Sequence, residues 1–181
     1  VYAIGKILDI QQQINEKEQL YKESTTDSLT GIYNRAGGFK EINHALSKQG
    51  GAIIMADLDK FKQVNDEFGH FAGDHVLIET ASILKHVFHE GIVARLGGDE
   101  FLLFIQNTNK EEIALLCEQA LKEMHEKKYE DAKNVDVTMS MGVVFVKENA
   151  SLENAMRKAD ELLYEAKRSG RSTYHICEET V

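Results

Sequence analysis

Four carboxylates in this chain stand where two apolar runs end. Asp57 and Asp59 close "GAIIMADLD" (51–59), and Asp99 and Glu100 follow two glycines in "RLGGDEF" (95–101). Carboxylates brought close together repel unless a cation sits between them. Mg²⁺ takes oxygen ligands and completes its shell with water and substrate phosphates. The acids therefore fit a phosphate-handling metal site, provided that the two strands are neighbours. The alternative is a set of solvated turn acids. Lys167 and Arg171 lie four apart near the end of the last helical segment and share a face if the helix persists. They suit a polyphosphate, or simply a helix C-terminus. Asn65 and Asp74 flank a glycine-punctuated loop. Asp can accept two hydrogen bonds from the guanine edge and Asn can add a contact. Both are also common loop formers.

These residues need elements to hold them. "GAIIMADLD" is nearly all apolar, the pattern of a central strand buried on both faces. "GIVARLGGDEFLLFI" (91–105) reads as two strands joined at Gly97-Gly98, where positive φ costs nothing. "NVDVTMSMGVVFV" (134–146) and "RSTYHI" (171–176) read as further strands. Helices are expected from about Arg35 to Leu46, over 75–88, 109–127 and 151–170, with a capping box from Asn109 and Glu112. A short helix and loop fill 59–74. The mixture, with one antiparallel hairpin, predicts an α+β or mixed α/β domain over about residues 23–178, followed by a tail at 179–181.

Residues 1–22 read differently. "VYAIGKILDI" begins like a strand, and a polar helical run follows. Ile7, Ile10, Ile14 and Tyr21 fall at heptad a and d spacing, with Lys17 interrupting. This predicts about two heptads of a parallel coiled-coil stalk that continues an upstream element.

Bulk composition narrows the partners. The 181 residues carry a formal net charge of −9, which argues against a nucleic-acid polymer. No apolar run approaches the ~20 residues needed to span a bilayer. The chain starts at Val1, so a fragment whose membrane segment lies upstream fits. Cys117 and Cys177 form no metal-spaced pair and read as reduced thiols in a cytoplasmic protein. Proline is absent, which leaves turns to Gly, Asn and Asp.

"DSLTGIYNR" (27–35), "DLDKFKQVNDEFGHFAGD" (57–74), "RLGGDEF" (95–101) and "ADELLYEAKRSGR" (159–171) together closely resemble the GGDEF family of diguanylate cyclases. The resemblance covers residues 25–176. It implies a central, mostly antiparallel sheet of about five strands wrapped by helices, similar to the palm of adenylyl cyclases and polymerases. It also implies that two GTP become cyclic di-GMP and two pyrophosphates between two facing domains, so that a second copy is a required partner. Carried onto this chain, Asp57, Asp99 and the Leu58 carbonyl would ligate Mg²⁺, with Mn²⁺ as an alternative. Asp99 would also be a base for the 3′-hydroxyl, with Glu100 supporting metal and phosphate. Asn65 and Asp74 would read guanine, and Phe61 and His70 would line its pocket. Lys62, Lys167 and Arg171 would hold phosphate oxygens, and Gly97 and Gly98 would let the triphosphate lie against bare backbone. Asp59 is read as structural. Many members carry an inhibitory Arg-x-x-Asp motif before the glycines. Phe88 and Gly91 stand there instead, which predicts no product inhibition through that site. Residues 1–22 resemble the last strand of a PAS-type sensor running into a signalling helix. A degraded, silent GGDEF domain that binds GTP or docks a partner is the other functional reading, and the intact acids weigh against it.

Overall fold

The structure, a computed structural model, describes residues 2–129 and 136–180. Its elements are α1 (Tyr2–Thr25), β1 (Tyr33–Asn34), α2 (Arg35–Leu46), β2 (Gly51–Asp59), α3 (Phe61–Phe68), α4 (His70–Val87), β3 (Ile92–Gly97), β4 (Glu100–Gln106), α5 (Lys110–Glu126), β5 (Thr138–Val146), α6 (Leu152–Arg168) and β6 (Tyr174–Thr180). The fold is α+β. The strands form one mixed sheet in the order β1-β3-β4-β2-β5-β6. β2 is antiparallel to both β4 and β5, and the short outer pairs β1–β3 and β5–β6 are parallel.

Every residue of β2 is buried, as its apolar run requires. Alternation sends its side chains into two cores. Ala52, Ile54, Ala56 and Leu58 join α4 and α5 on one face through Val76, Leu84, Ile113 and Cys117. Ile53 and Met55 join α2 and α6 on the other through Ile42, Leu46, Leu152 and Leu163. Two glycines allow close packing on this second face. A Cβ at Gly38 would lie 2.4 Å from Ala94 Cβ, and one at Gly142 would lie 2.0 Å from the Ala159 carbonyl. Side chains cap α2 and α5: Asn34 accepts from the Gly37 amide, and Asn109 and Glu112 form the expected capping box.

Several expectations are refined. The sheet has six strands where about five were expected, because the two-residue β1 lies inside a segment read as turn and cap. α4 begins at His70 rather than at about residue 75, so much of the segment read as loop is helical. Residues 2–10 are helical, not a strand; they continue the polar helix that follows without a break. β6 runs through Thr180, into the expected tail. The fifth strand begins at Thr138; residues 134 and 135 lie outside the described residues. The stalk side chains that are described stay in solvent: Ile14 and Leu20 are exposed, and Tyr21 meets its domain only at the end, beside Glu41 and Lys40.

Candidate active site

The hairpin does lie beside β2, and the register places its acids. Asp57 pairs directly with Glu100 across β2 and β4. Both residues share the α2–α6 face with Met55 and Leu102. The register of β3 and β4 slips between Arg95 and Gly97, so Gly97 pairs with Glu100 and the two turn residues are Gly98 and Asp99. The expected turn, Gly97-Gly98, is thus displaced by one residue. Gly97 (φ +148°) serves the bulge and Gly98 (φ +54°) the turn. Nothing lies within 4 Å of where a Cβ would stand on either. The backbone here is open to a ligand. The Leu58 amide donates to the Asp99 carbonyl at 3.2 Å, which ties the turn to the end of β2. The Leu58 side chain is in the core, so only its backbone is available to the site.

Asp57 is 8% exposed, and Lys167 Nζ on α6 sits 2.6 Å from its Oδ1. Burial drives the Asp57 carboxyl upward. The Lys167 hydrogen bond and charge pull it back, while Asp99 and Glu100 push it up again, to about 6. An ammonium thus stands where a cation is needed.

Asp59 points the same way along β2 but is fully engaged. It accepts from Thr138 Oγ1 (2.8 Å), Ser140 Oγ (2.8 Å) and the Ser172 amide (3.0 Å), which leaves it the structural anchor that the sequence suggested. Arg171 Nε is 4.0 Å from Asp59. Lys167 and Arg171 do not share a helical face, since α6 stops at Arg168 and Gly170, Arg171 and Ser172 all have positive φ. The two cations instead reach neighbouring strand acids from the α6 end.

The opposite flank holds the base-reading candidates. Lys60, with φ +58°, breaks the chain from β2 into α3, whose start has no side-chain cap. Asn65 Oδ1 would lie 2.1 Å from a Cβ on Gly73, and Phe61 Cζ 3.2 Å. The structure therefore packs Asn65 and Phe61 on α4 beside Asp74. Only glycine at 73 allows this approach. His70 is the exposed first residue of α4, and Lys62 is exposed on α3. On the α2–α6 face a cavity of about 690 Å³ opens beside Glu100, lined also by Arg35, Met55, Arg157 and Asp160.

The donors are all oxygen: the Asp57, Asp99 and Glu100 carboxylates and backbone carbonyls. Such a set fits a hard divalent cation. Among the described residues no three His, Cys, Asp or Glu side chains converge as a cage.

Two residues of the quoted motifs carry contacts that spacing did not reveal. Arg95 Nε donates to the Gly98 carbonyl at 2.9 Å, and its Nη1 donates to Asp27 at 3.1 Å. The position of Phe88 and Gly91 is also explained. Phe88 is core, and a Cβ at Gly91 would lie 2.9 Å from the Phe104 carbonyl.

Residues 24–173 match the family described as diguanylate cyclase, GGDEF domain. The chain belongs to the GGDEF family. The GGDEF chain is 32% identical over 176 residues to a diguanylate cyclase of Vibrio cholerae, covering 93% of itself and 54% of that protein. It is 31% identical to the cyclic di-GMP phosphodiesterase PdeR of Escherichia coli, covering 97% of itself and 27% of that protein. The chain thus spans about half or less of these curated relatives. Its fold matches the coiled coil and GGDEF domain of DgcB from Caulobacter crescentus, solved with c-di-GMP, at TM-score 0.87, 26% identity and 96% coverage of both chains. SiaD of Pseudomonas aeruginosa, solved with its activator SiaC, matches at TM-score 0.79 and 29% identity over 96% of this chain and 70% of that one. None of the described helices is long and apolar enough to cross a membrane.

Proposed function

We propose that this domain is a diguanylate cyclase that condenses two GTP into cyclic di-GMP and two pyrophosphates. The observation that carries the reading is the cross-strand pair Asp57–Glu100, with Asp99 at the adjoining glycine turn and Lys167 on Asp57. A GTP-binding or docking module has no need for so complete a set of acids. PdeR, a relative named for the opposite activity, makes direct assay necessary.

Asp57, Asp99 and the Leu58 carbonyl would hold Mg²⁺ or Mn²⁺, with Glu100 beside them. The bound ion would supply charge neutralisation for the attacking hydroxyl and the departing pyrophosphate. The chain's own groups do the rest. Lys167 and Arg171 bind phosphate oxygens, and Lys167 exchanges its contact with Asp57 for one with substrate. Lys62 adds charge from α3. Gly97 and Gly98 let the triphosphate approach the backbone. Asn65 and Asp74 hold the guanine edge, with Phe61 and His70 against the base. Asp99 takes the proton from the 3′-hydroxyl as its oxygen attacks the α-phosphate of the GTP on a second copy, and pyrophosphate leaves.

Each domain supplies one GTP, so two copies are needed. The exposed positions Ile14 and Tyr21, which repeat one heptad position on α1, suit pairing of two such helices beneath an upstream sensor in a cytoplasmic dimer. Residues 1–22 then form the stalk and 23–178 the cyclase domain.

The test is incubation with GTP and Mg²⁺, with nucleotide products separated by chromatography across a dilution series. Cyclic di-GMP formed with specific activity rising with protein concentration is the expected result. GTP binding without product, at concentrations where the protein is dimeric, would favour the silent module.

A further inference from the structure

Helix α1 ends where the catalytic turn is anchored, and a continuous set of bonds joins the two. Asn34 donates to the carbonyls of Ser24 and Thr26 at 3.0 and 3.2 Å, and so grips the last turn of α1 while capping α2. A Cβ on Gly37 would lie 2.1 Å from the Thr25 carbonyl, so α2 presses against that same exit. The chain then turns at Asp27. The Asp27 amide donates to the Ile32 carbonyl, and the Gly31 amide donates to the Asp27 carbonyl, both at 2.8 Å. The Asp27 carboxylate accepts from the Thr30 amide (2.9 Å) and hydroxyl (2.6 Å). Its position is therefore fixed locally.

Arg95 spans from this carboxylate to the site. Its Nη1 lies 3.1 and 3.3 Å from the two Asp27 oxygens, and its Nε donates to the Gly98 carbonyl at 2.9 Å. The Arg95 and Asp27 side chains are 13% and 22% exposed. A guanidinium can serve both because its donors form a rigid planar fork. The Gly98 carbonyl belongs to the peptide plane that also carries the Asp99 amide, so holding one orients the other. The next carbonyl, that of Asp99, is held by the Leu58 amide. Gly97 and Gly98 would otherwise leave this backbone free to move.

We propose that Arg95 is a positioning residue for the Gly98-Asp99 turn, and that Asp27 fixes Arg95 to the exit of α1, so that movement of that helix is transmitted to the turn. The inference rests on the cyclase reading above. It gives α1 a mechanical route to Asp99 within one domain, besides any role in bringing two domains together.

The test uses Asp27→Asn, Arg95→Lys, Arg95→Met and the double variant Asp27→Asn/Arg95→Met in the full chain, assayed well below their melting temperatures. Cyclic di-GMP turnover at saturating GTP should fall about tenfold or more in each single variant, as expected for a displaced reacting group. KM for GTP should change by much less than turnover falls, since Lys167, Arg171, Asn65 and Asp74 are untouched and only the Gly97-Gly98 backbone contact with the triphosphate is loosened. Lysine at 95 should not rescue, having no fork. The double variant should be no slower than Arg95→Met alone, because both changes break one relay. Hydrogen exchange in Asp27→Asn should quicken at the Leu58 amide, which donates to the Asp99 carbonyl of the turn, with the rest of β2 and β5 unchanged. Unaltered turnover, a rise in KM alone, or losses that multiply would overturn the relay. A wild-type chain that makes no product would reject the cyclase reading instead. The exchange data would then decide the relay: faster exchange at the Leu58 amide supports it, and unchanged exchange sinks it.

Discussion

Lys167 Nζ lies 2.6 Å from Asp57 Oδ1, across the gap between α6 and the end of β2. The pair places a phosphate-binding candidate on a metal-binding candidate. Substrate and metal entering together must separate them. Replacing Lys167 with Met removes the cation and leaves Asp57 beside Asp99 and Glu100. We expect KM for GTP to rise about tenfold, the loss of one charge-assisted bond to phosphate. Initial-rate kinetics over a wide GTP range would check this, and an unchanged KM would remove Lys167 from the substrate site.

The same pair fixes a pH dependence. Burial raises the Asp57 carboxyl from 3.8 to about 6, with Lys167 opposing and Asp99 and Glu100 adding to the rise. Between those values the folded state binds more protons at Asp57 than the unfolded state does. The contribution of Asp57 to stability is therefore greatest below pH 4 and declines as pH rises through about 6. At the proposed metal site an ion would have to displace that proton, so affinity should climb over the same interval and level off above it. Calorimetric Mn²⁺ titrations between pH 5 and 8, the range in which Asp57 completes its titration, would show this (two-state protonation of one site). Asp57→Asn should abolish the slope.

Asp59 has a different task from Asp57, although both side chains leave the strand on one side. Asp59→Ala would strand the Thr138 and Ser140 hydroxyls and the Ser172 amide. A loss of about 2 kcal/mol in unfolding free energy is expected, mainly from the buried Ser140 hydroxyl left unpaired, since Thr138 is half-buried and Ser172 exposed. Urea denaturation would measure it. A loss below about 0.5 kcal/mol, the scale of a surface substitution, would contradict the structural assignment.

Asp74 follows Gly73, onto which Asn65 and Phe61 pack. In the proposed site it accepts from the guanine edge, and Ser cannot accept both bonds. Asp74→Ser should relax base choice. Reaction with equimolar GTP and ATP, followed by product analysis, should yield mixed cyclic dinucleotides. Pure cyclic di-GMP from the variant would rule out the assigned role.

Product inhibition through the Arg-x-x-Asp position should be absent. Phe88 is buried, and a side chain on Gly91 would collide with Ile105 and the Phe104 carbonyl. Progress curves spiked with cyclic di-GMP should show only competition with GTP. Strong non-competitive inhibition would sink this prediction. Grafting the motif with Gly91→Asp should cost about 1–3 kcal/mol through overpacking rather than create inhibition.

The sequence by itself determined the pieces. β2 was legible because a strand buried on both faces must be apolar throughout. The amphipathic helices were legible because each shows one apolar face per turn. The capping box at Asn109 and the glycine hairpin were legible because local backbone chemistry demands those residues. The acids, the two cations and the pair Asn65 and Asp74 could be marked as candidates only through the family's motifs, since by themselves they also suit solvated turns, a helix C-terminus and loops.

Only the tertiary structure decided which of them meet. Strand adjacency is set by packing on both faces of the sheet, not by any local pattern, so the Asp57–Glu100 register could not be read from 51–59 or 95–101 alone. The separate fates of Asp57 and Asp59 depend on Thr138 and Ser140, about eighty residues away in sequence. Arg171 reaches Asp59 only because the chain leaves its helix through three positive-φ residues. The Asp27–Arg95 bridge joins residues 68 apart. The two-residue β1 has too few side chains to show a period, and α1 began with apolar residues that suit a strand as well as a helix. Local sequence limits what each segment can form. The long-range pairing of those segments, which minimises buried unpaired charge and exposed apolar area together, turns separate acids and cations into one site.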